Sequence, residues 1–215
     1  MQNAKEENSH QSTDEHIVHI TKEFRQGLEF IKKYPKSVTI FGSSRLTVAS
    51  SHYHDAERLA SRIVKELGYS ITTGGGPGVM EAANKGAREA GGDSVGLNIR
   101  LPLRQSANGY VSDSIDFDYF FARKMMLAFS AEAYVFFPGG YGTLDELFEI
   151  LNLLQTGKTE KVPVILFGKD FWIPFREFLI KEILEKHHAI NPEDLDLFII
   201  TDSIDEALSK IRTKR

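Results

Sequence analysis

Two rhythms alternate along the chain. Short, almost continuous apolar runs give way to longer stretches in which apolar positions recur every third or fourth residue. Runs of the first kind lie at 37–41, 69–72, 94–99, 115–120, 133–137, 161–167 and 197–201 and predict strands. The 161–167 run is apolar nearly throughout, as in a parallel strand buried on both faces. The helical spacing is plain in Ile17, Ile20, Phe24, Leu28 and Ile31, which predict an amphipathic helix that packs on the sheet or on a partner subunit. Further helices are expected over 52–67, from Val79, over 121–131, from the segment after Pro138 to about Leu154, over 172–186 and over 203–211. Gly68 suits the residue after a helix C-cap. Strand followed by helix, six or seven times over, implies an α/β fold. It is a Rossmann-like, doubly wound, mostly parallel sheet of six to seven strands with helices on both faces, one domain over 15–215. Residues 1–14 are polar and read as a disordered tail.

The turns between these elements carry the chemistry. After the fifth run comes Pro138-Gly139-Gly140-Tyr141-Gly142-Thr143-Leu144-Asp145-Glu146. A strand, a tight turn and a helix N-terminus in that order expose backbone N–H groups and the positive end of a helix dipole, which favour an anion such as phosphate. Asp145 and Glu146 are expected in the first helical turn beside it. Thr143 and Glu146 also have the spacing of a capping box, which would make Glu146 a cap. Both readings can hold together. A second junction, Thr73-Gly74-Gly75-Gly76-Pro77-Gly78, has more glycine than a turn needs, so it suggests close approach of the backbone to a ligand. Pro77 is placed to open the next helix, with Glu81 about one turn in. A third junction, Gly42-Ser43-Ser44-Arg45, suits an anion or a ribose, or else a turn whose serines cap a helix. Arg123 and Lys124 stand near the start of a helix, where the dipole opposes cations. They meet acids or phosphate from a neighbouring loop, or form a solvated face. Residues 100–114 read as an irregular flap whose Arg100 or Arg104 could reach a phosphate.

Composition narrows the field. The 215 residues carry a net charge of −4, so no global basic field argues for a nucleic-acid polymer. There is no cysteine, which removes thiol chemistry and thiolate metal sites. No apolar run is long enough to span a membrane, and the N-terminal segment lacks a signal-peptide core, so a cytoplasmic location is expected. The dinucleotide fingerprint does not follow the first strand. The Gly157-Lys158-Thr159 end of a P-loop lacks its first glycine and follows a helix. No metal-ligand spacing is evident. What remains is a monophosphate site beside a carboxylate.

Three segments together resemble the motifs of the LOG family, the cytokinin riboside 5′-monophosphate phosphoribohydrolases, long mislabelled as lysine decarboxylases. They are Gly74 to Ala82, Arg123-Lys124-Met125, and Pro138 to Glu146. The resemblance runs roughly from Val38 to Phe167. It implies hydrolysis of the N-glycosidic bond of a nucleoside 5′-monophosphate to free base and ribose 5-phosphate. Arg123 and Glu146 would be the catalytic pair, and Gly139, Gly140, Tyr141, Gly142 and Thr143 would hold the phosphate. Gly42, Ser43, Gly75, Gly76, Glu81 and Lys124 would contact the rest of the substrate. The aromatic Phe120-Phe121-Ala122 before Arg123 replaces the Met-His pattern of many members and points to AMP or another purine monophosphate as substrate. No cofactor or metal is expected, and a homodimer or higher homo-oligomer is. The alternative is a non-catalytic, Rossmann-like protein that binds a nucleotide or cofactor. A pyridoxal-phosphate decarboxylase would need a Schiff-base lysine, for which Lys124 is the candidate.

Overall fold

The computed structural model describes residues 13–101 and 107–212. The elements are α1 (Thr13–Ile31), β1 (Ser37–Phe41), α2 (Ser51–Leu67), β2 (Ser70–Thr73), α3 (Val79–Glu89), β3 (Ser94–Ile99) and β4 (Asp113–Phe117). They continue as α4 (Phe120–Phe129), β5 (Ala133–Phe136), α5 (Tyr141–Gln155), β6 (Val164–Phe167), α6 (Lys169–Phe178), β7 (Ile199–Thr201) and α7 (Ile204–Arg212). A π-helical turn, Leu179–Lys186, extends α6, and a 3-10 turn, Pro192–Asp196, precedes β7. No described helix is long and apolar enough to cross a membrane.

All seven strands are parallel, in the order β4-β3-β2-β1-β5-β6-β7. The chain winds outward from β1 to β4, then returns to the other side of β1. The crevice between the carboxyl ends of β1 and β5 is therefore the switch point at which such sheets bind ligands. Two apolar layers sandwich the sheet. One joins Val38, Ile40 and Ile71 to α2, α3 and α7. The other joins Phe41, Leu97 and Phe136 to α1, α4, α5 and α6, with Trp172 fully buried within it. Burial on both faces explains why the central strands read as unbroken apolar runs.

Several boundaries differ from expectation for identifiable reasons. The strand expected over 115–120 is β4, displaced toward the N-terminus, because Asp113 to Phe117 pairs with Val95 to Ile99 of β3. It stops at Phe117 because the next two N–H groups, of Asp118 and Tyr119, donate to the Glu23 carboxylate at 2.6 and 3.3 Å. The chain is thereby turned into α4. Pro77 does not open α3. Gly78 is its N-cap, at φ 73°, and Val79 begins the helix with its N–H on the Ser43 carbonyl at 3.1 Å. The expected tail lies outside the described residues except for Thr13 and Asp14, which belong to α1. Within the expected flap, 102–106, and with them Arg104, also lie outside the described residues.

The N-terminal helix docks on α4 and β4 through a buried carboxylate. Glu23 is 5 % exposed and holds the α1 side of that junction. A hydrogen bond to a charged group contributes about 1.5–3 kcal/mol, and its buried donor is costly to leave unpaired. Glu23→Ala is expected to lower the melting temperature by roughly 4–8 °C, the shift that about 2 kcal/mol produces in a chain of this size. A thermal melt followed by circular dichroism checks it.

Candidate active site

The loops after β1, β2 and β5 meet the first turns of α4 and α5 around a cleft of about 1250 Å³. Backbone hydrogen bonds knit them together. The Ser43 N–H donates to the Pro138 carbonyl at 3.0 Å, and the Ser43 carbonyl accepts from Val79. The glycine-rich junctions predicted from sequence thus open on one cavity.

Helix α5 forms one wall. Its N-cap is Gly140, in extended backbone, with no side-chain cap and no acid in the first turn. The N–H groups that open such a helix have no partner within it and attract an anion. This corrects two expectations. The helix starts at Tyr141, two residues before Thr143, so Thr143 is not its N-cap and the capping box does not form. Asp145 and Glu146 consequently fall in the second turn. Gly140, Tyr141, Gly142 and Thr143 line the cleft, and Tyr141 is 95 % exposed. Gly139 sits behind them, where a Cβ would collide with the Thr143 hydroxyl.

Arg123, from α4, reaches across the ends of β2 and β3. Its Nε donates to the Leu97 carbonyl at 2.8 Å. Its guanidinium packs against Gly74, where a Cβ would come within 2.1 Å of Nη2. A side chain at position 74 would have to push it aside. Burial pushes the Arg123 guanidinium below its ordinary value, and the charge of Glu146 opposes the shift. Glu146 faces the same cleft. Burial pushes its carboxyl up to about 7, Asp145 and Glu149 add to the rise, and Arg123 and Lys124 restrain it.

Lys124 does not line the cleft. It bridges Asp145 at 2.9 Å and Glu149 at 3.1 Å, tying α4 to α5. Burial alone would lower its ammonium, but the bonds to those two acids raise it. That is a poor setting for a Schiff-base amine, which must lose its proton. Glu81 is likewise outside the lining, and accepts from the Tyr53 hydroxyl at 3.2 Å. Gly42, Ser43, Gly75 and Gly76 do line the cleft.

Sequence reading missed part of the wall. Asn98 and Asp116 are register partners on β3 and β4, joined by an Nδ2 to Oδ1 hydrogen bond of 2.9 Å. The other amide atom, Asn98 Oδ1, is buried against Gly75 without a hydrogen-bond partner. Arg100 lines the cleft but is held by Asp118 at 3.0 Å. Arg45 stands at the rim beside Ser43 and Ser44. Among the described residues one group, His19, Glu23 and Asp118, brings three possible metal-ligand atoms within 4.8 Å of one another. None of the three lines the cleft, and the two carboxylates are already engaged by backbone N–H groups and Arg100.

Comparison with known proteins places the chain in a family. The family model described as possible lysine decarboxylase matches residues 80–211. A probable cytokinin riboside 5′-monophosphate phosphoribohydrolase, LOG6 of Arabidopsis thaliana, is 33 % identical over 138 residues, 63 % of this chain and 67 % of the relative. The cytokinin riboside 5′-monophosphate phosphoribohydrolase of Mycobacterium tuberculosis is 30 % identical over 146 residues, covering 66 % of this chain and 75 % of its own. Among solved structures, a structural-genomics target superimposes with a TM-score of 0.61 at 27 % identity, over 83 % of this chain and 99 % of that one. The molybdenum cofactor carrier protein of Chlamydomonas reinhardtii shares the fold, with a TM-score of 0.61 at 23 % identity over 84 % and 97 % of the two chains. With its arginine, its carboxylate and its open helix end on one cleft, and with these relatives, the chain belongs to the LOG family, whose model carries the older name of possible lysine decarboxylase.

Proposed function

We propose that the protein hydrolyses the N-glycosidic bond of a nucleoside 5′-monophosphate, AMP or a cytokinin riboside monophosphate, to free base and ribose 5-phosphate. The observation that carries this reading is Glu146. It is a cleft carboxyl poised near pH 7, facing a half-buried arginine and an acid-free helix N-terminus.

The phosphate sits at the start of α5, on the N–H groups of Tyr141, Gly142 and Thr143. That anchor fixes the ribose relative to Glu146 and uses binding energy away from the reacting bond for orientation. As the C1′–N bond breaks, its electron pair leaves with the base and positive charge develops on the ribosyl ring. The Glu146 carboxylate stabilises that charge and takes a proton from the water that adds to C1′, as carboxylates do in O-glycoside hydrolysis. The proton then passes to the departing base nitrogen, which balances the reaction. A guanidinium is too weak an acid to supply that proton. Arg123 instead acts on Glu146 through its charge and orients the ribose. Phe120, exposed at the cleft edge, offers an aromatic face to the base.

A cytoplasmic homodimer completes the proposal, with a single nucleotide-binding domain per chain. Phe121, Phe129, Phe148 and Phe178 of α4, α5 and α6 are each about half exposed and offer an apolar surface to a second copy close to the cleft. The competing reading is a binding protein that holds a nucleotide without cleaving it. The Chlamydomonas neighbour is named as a carrier on the same fold.

Glu146→Gln separates the two readings. It should retain AMP binding and lose about 10²–10⁴-fold in kcat, followed by chromatography of the released base. In a carrier it would change nothing measurable. The substitution should also raise the melting temperature at pH 8. Because the folded carboxyl is held above its ordinary 4.5, stability is greatest below that value and declines as pH rises through about 7. The rate should move the opposite way. Only ionised Glu146 accepts a proton, so kcat/KM should climb with pH along a limb centred at about 7. That lies above the ionisation of the substrate phosphate, at about 6. A kcat/KM that stays flat across roughly one pH unit on either side of that midpoint would contradict the assignment.

A further inference from the structure

The glycine loop that receives Arg123 is itself held by a small polar network that the proposed mechanism does not use. Thr73, fully buried at the end of β2, accepts the Gly75 N–H at 2.9 Å and donates to Asn84 Oδ1 at 2.7 Å. Asn84 is fully buried in α3, and its Nδ2 donates to the Ser94 hydroxyl of β3 at 2.8 Å. The free side of the loop is closed by Asn108. Its N–H donates to the Gly75 carbonyl at 2.9 Å. Its Nδ2 is shared among the carbonyls of Gly76 at 2.9 Å and Gly75 at 3.2 Å and Asn84 Oδ1 at 3.0 Å. Its own Oδ1 accepts from the Tyr110 N–H at 3.0 Å, which fixes which way the amide points. Three acceptors thus converge on one amide nitrogen.

We infer that Asn108 is a positioning residue: it sets the Gly74–Gly76 loop against Arg123 and so sets Arg123 against Glu146. The tolerance is small on both sides of the loop. Arg123 Nη2 fills the place of a Cβ on Gly74, and Asn98 Oδ1 fills that of a Cβ on Gly75. A shift of the loop toward the guanidinium therefore displaces it by direct contact, since close-packed groups cannot share the same space. Arg123 has one anchor of its own, the Leu97 carbonyl, and the loop supplies the second. Asn84 is the buried post of the network, and its loss would damage the fold. Asn108 is only half-buried and stands in an irregular segment, so its role can be tested without removing the core.

This inference rests on the hydrolase reading for its kinetic consequence but not for its geometric one. The test uses the full chain with Asn108→Ala, which removes the donor, and Asn108→Asp, which keeps the shape and replaces the donor by an acceptor. Two readouts are taken. The first is kcat and KM with AMP. A misplaced catalytic group costs about 10–100-fold in rate, so kcat should fall by that factor in both variants while KM changes little, because the phosphate site on α5 is untouched. The second is the titration of the Glu146 carboxyl by 13C NMR. The charges facing Glu146 are Arg123 and Lys124 from α4 and Asp145 and Glu149 from its own helix. Withdrawal of Arg123 alone should raise the Glu146 midpoint in Asn108→Ala, and Gly74→Ala, which expels the guanidinium directly, should raise it in the same direction. A purely structural asparagine would lower the melting temperature and leave that midpoint in place. Wild-type kcat and an unmoved midpoint in folded Asn108→Ala overturn the inference. If that variant does not fold, the same two values in Asn108→Asp decide it. A wild-type protein that cleaves no nucleoside monophosphate, with the midpoint still raised in Asn108→Ala, sinks the hydrolase reading and supports the positioning role.

Discussion

The contact between the Arg123 guanidinium and Gly74 organises the functional end of this molecule. A guanidinium near the start of a helix is opposed by the dipole of that helix, and burial adds a further cost. It stays there because three separate pieces of the fold leave it a slot. The Leu97 carbonyl in β3 takes Nε, the absent side chain of Gly74 makes room for the guanidinium, and Glu146 supplies opposite charge. Each piece comes from a different strand–helix unit, so the slot exists only once the parallel sheet has assembled. The arginine thereby links the order of the strands to the chemistry of the cleft.

Charge around Glu146 is balanced rather than simply neutralised. Burial and two neighbouring acids push the carboxyl up, and two cations hold it near neutrality. Lys124 acts here from outside the cleft, because its ion pairs occupy Asp145 and Glu149 and leave Glu146 as the acid that faces the cavity. A carboxyl in this state can cycle between its ionised and protonated forms at physiological pH, which a general base in glycosidic hydrolysis must do. It also destabilises the folded chain when ionised, so the charge that the proposed chemistry needs is gained at the expense of stability.

The sheet was legible because every central strand is covered on both faces and so reads as an apolar run, and because glycine marks the turns at its carboxyl edge. Arg123 stood out because a cation near a helix N-terminus is opposed by the dipole, and Glu146 because it follows a glycine-rich turn suited to an anion, although its spacing also allowed a cap. What was not legible depends on register and on helix phase. Thr143 and Glu146 have capping-box spacing, but the backbone becomes helical at Tyr141, and a start two residues earlier changes the role of both. Lys124 follows Arg123 directly, yet that single step around α4 turns it toward α5 and away from the cleft. Asn98 and Asp116 are eighteen positions apart and meet only because β3 pairs with β4 in one register. Asn108 sits in a segment that reads as irregular, and nothing local shows that its amide closes on a loop more than thirty residues earlier.

The central claim is that this cleft cleaves the ribosyl bond of a substrate it holds by a phosphate. Incubation of the purified protein with a panel of nucleoside 5′-monophosphates and with the matching nucleosides, followed by chromatography of the products, tests it most directly. The account predicts equal amounts of free base and ribose 5-phosphate from AMP, and no base from adenosine, which lacks the anchoring group. AMP recovered intact along with every other monophosphate, or adenosine cleaved as readily as AMP, would contradict it.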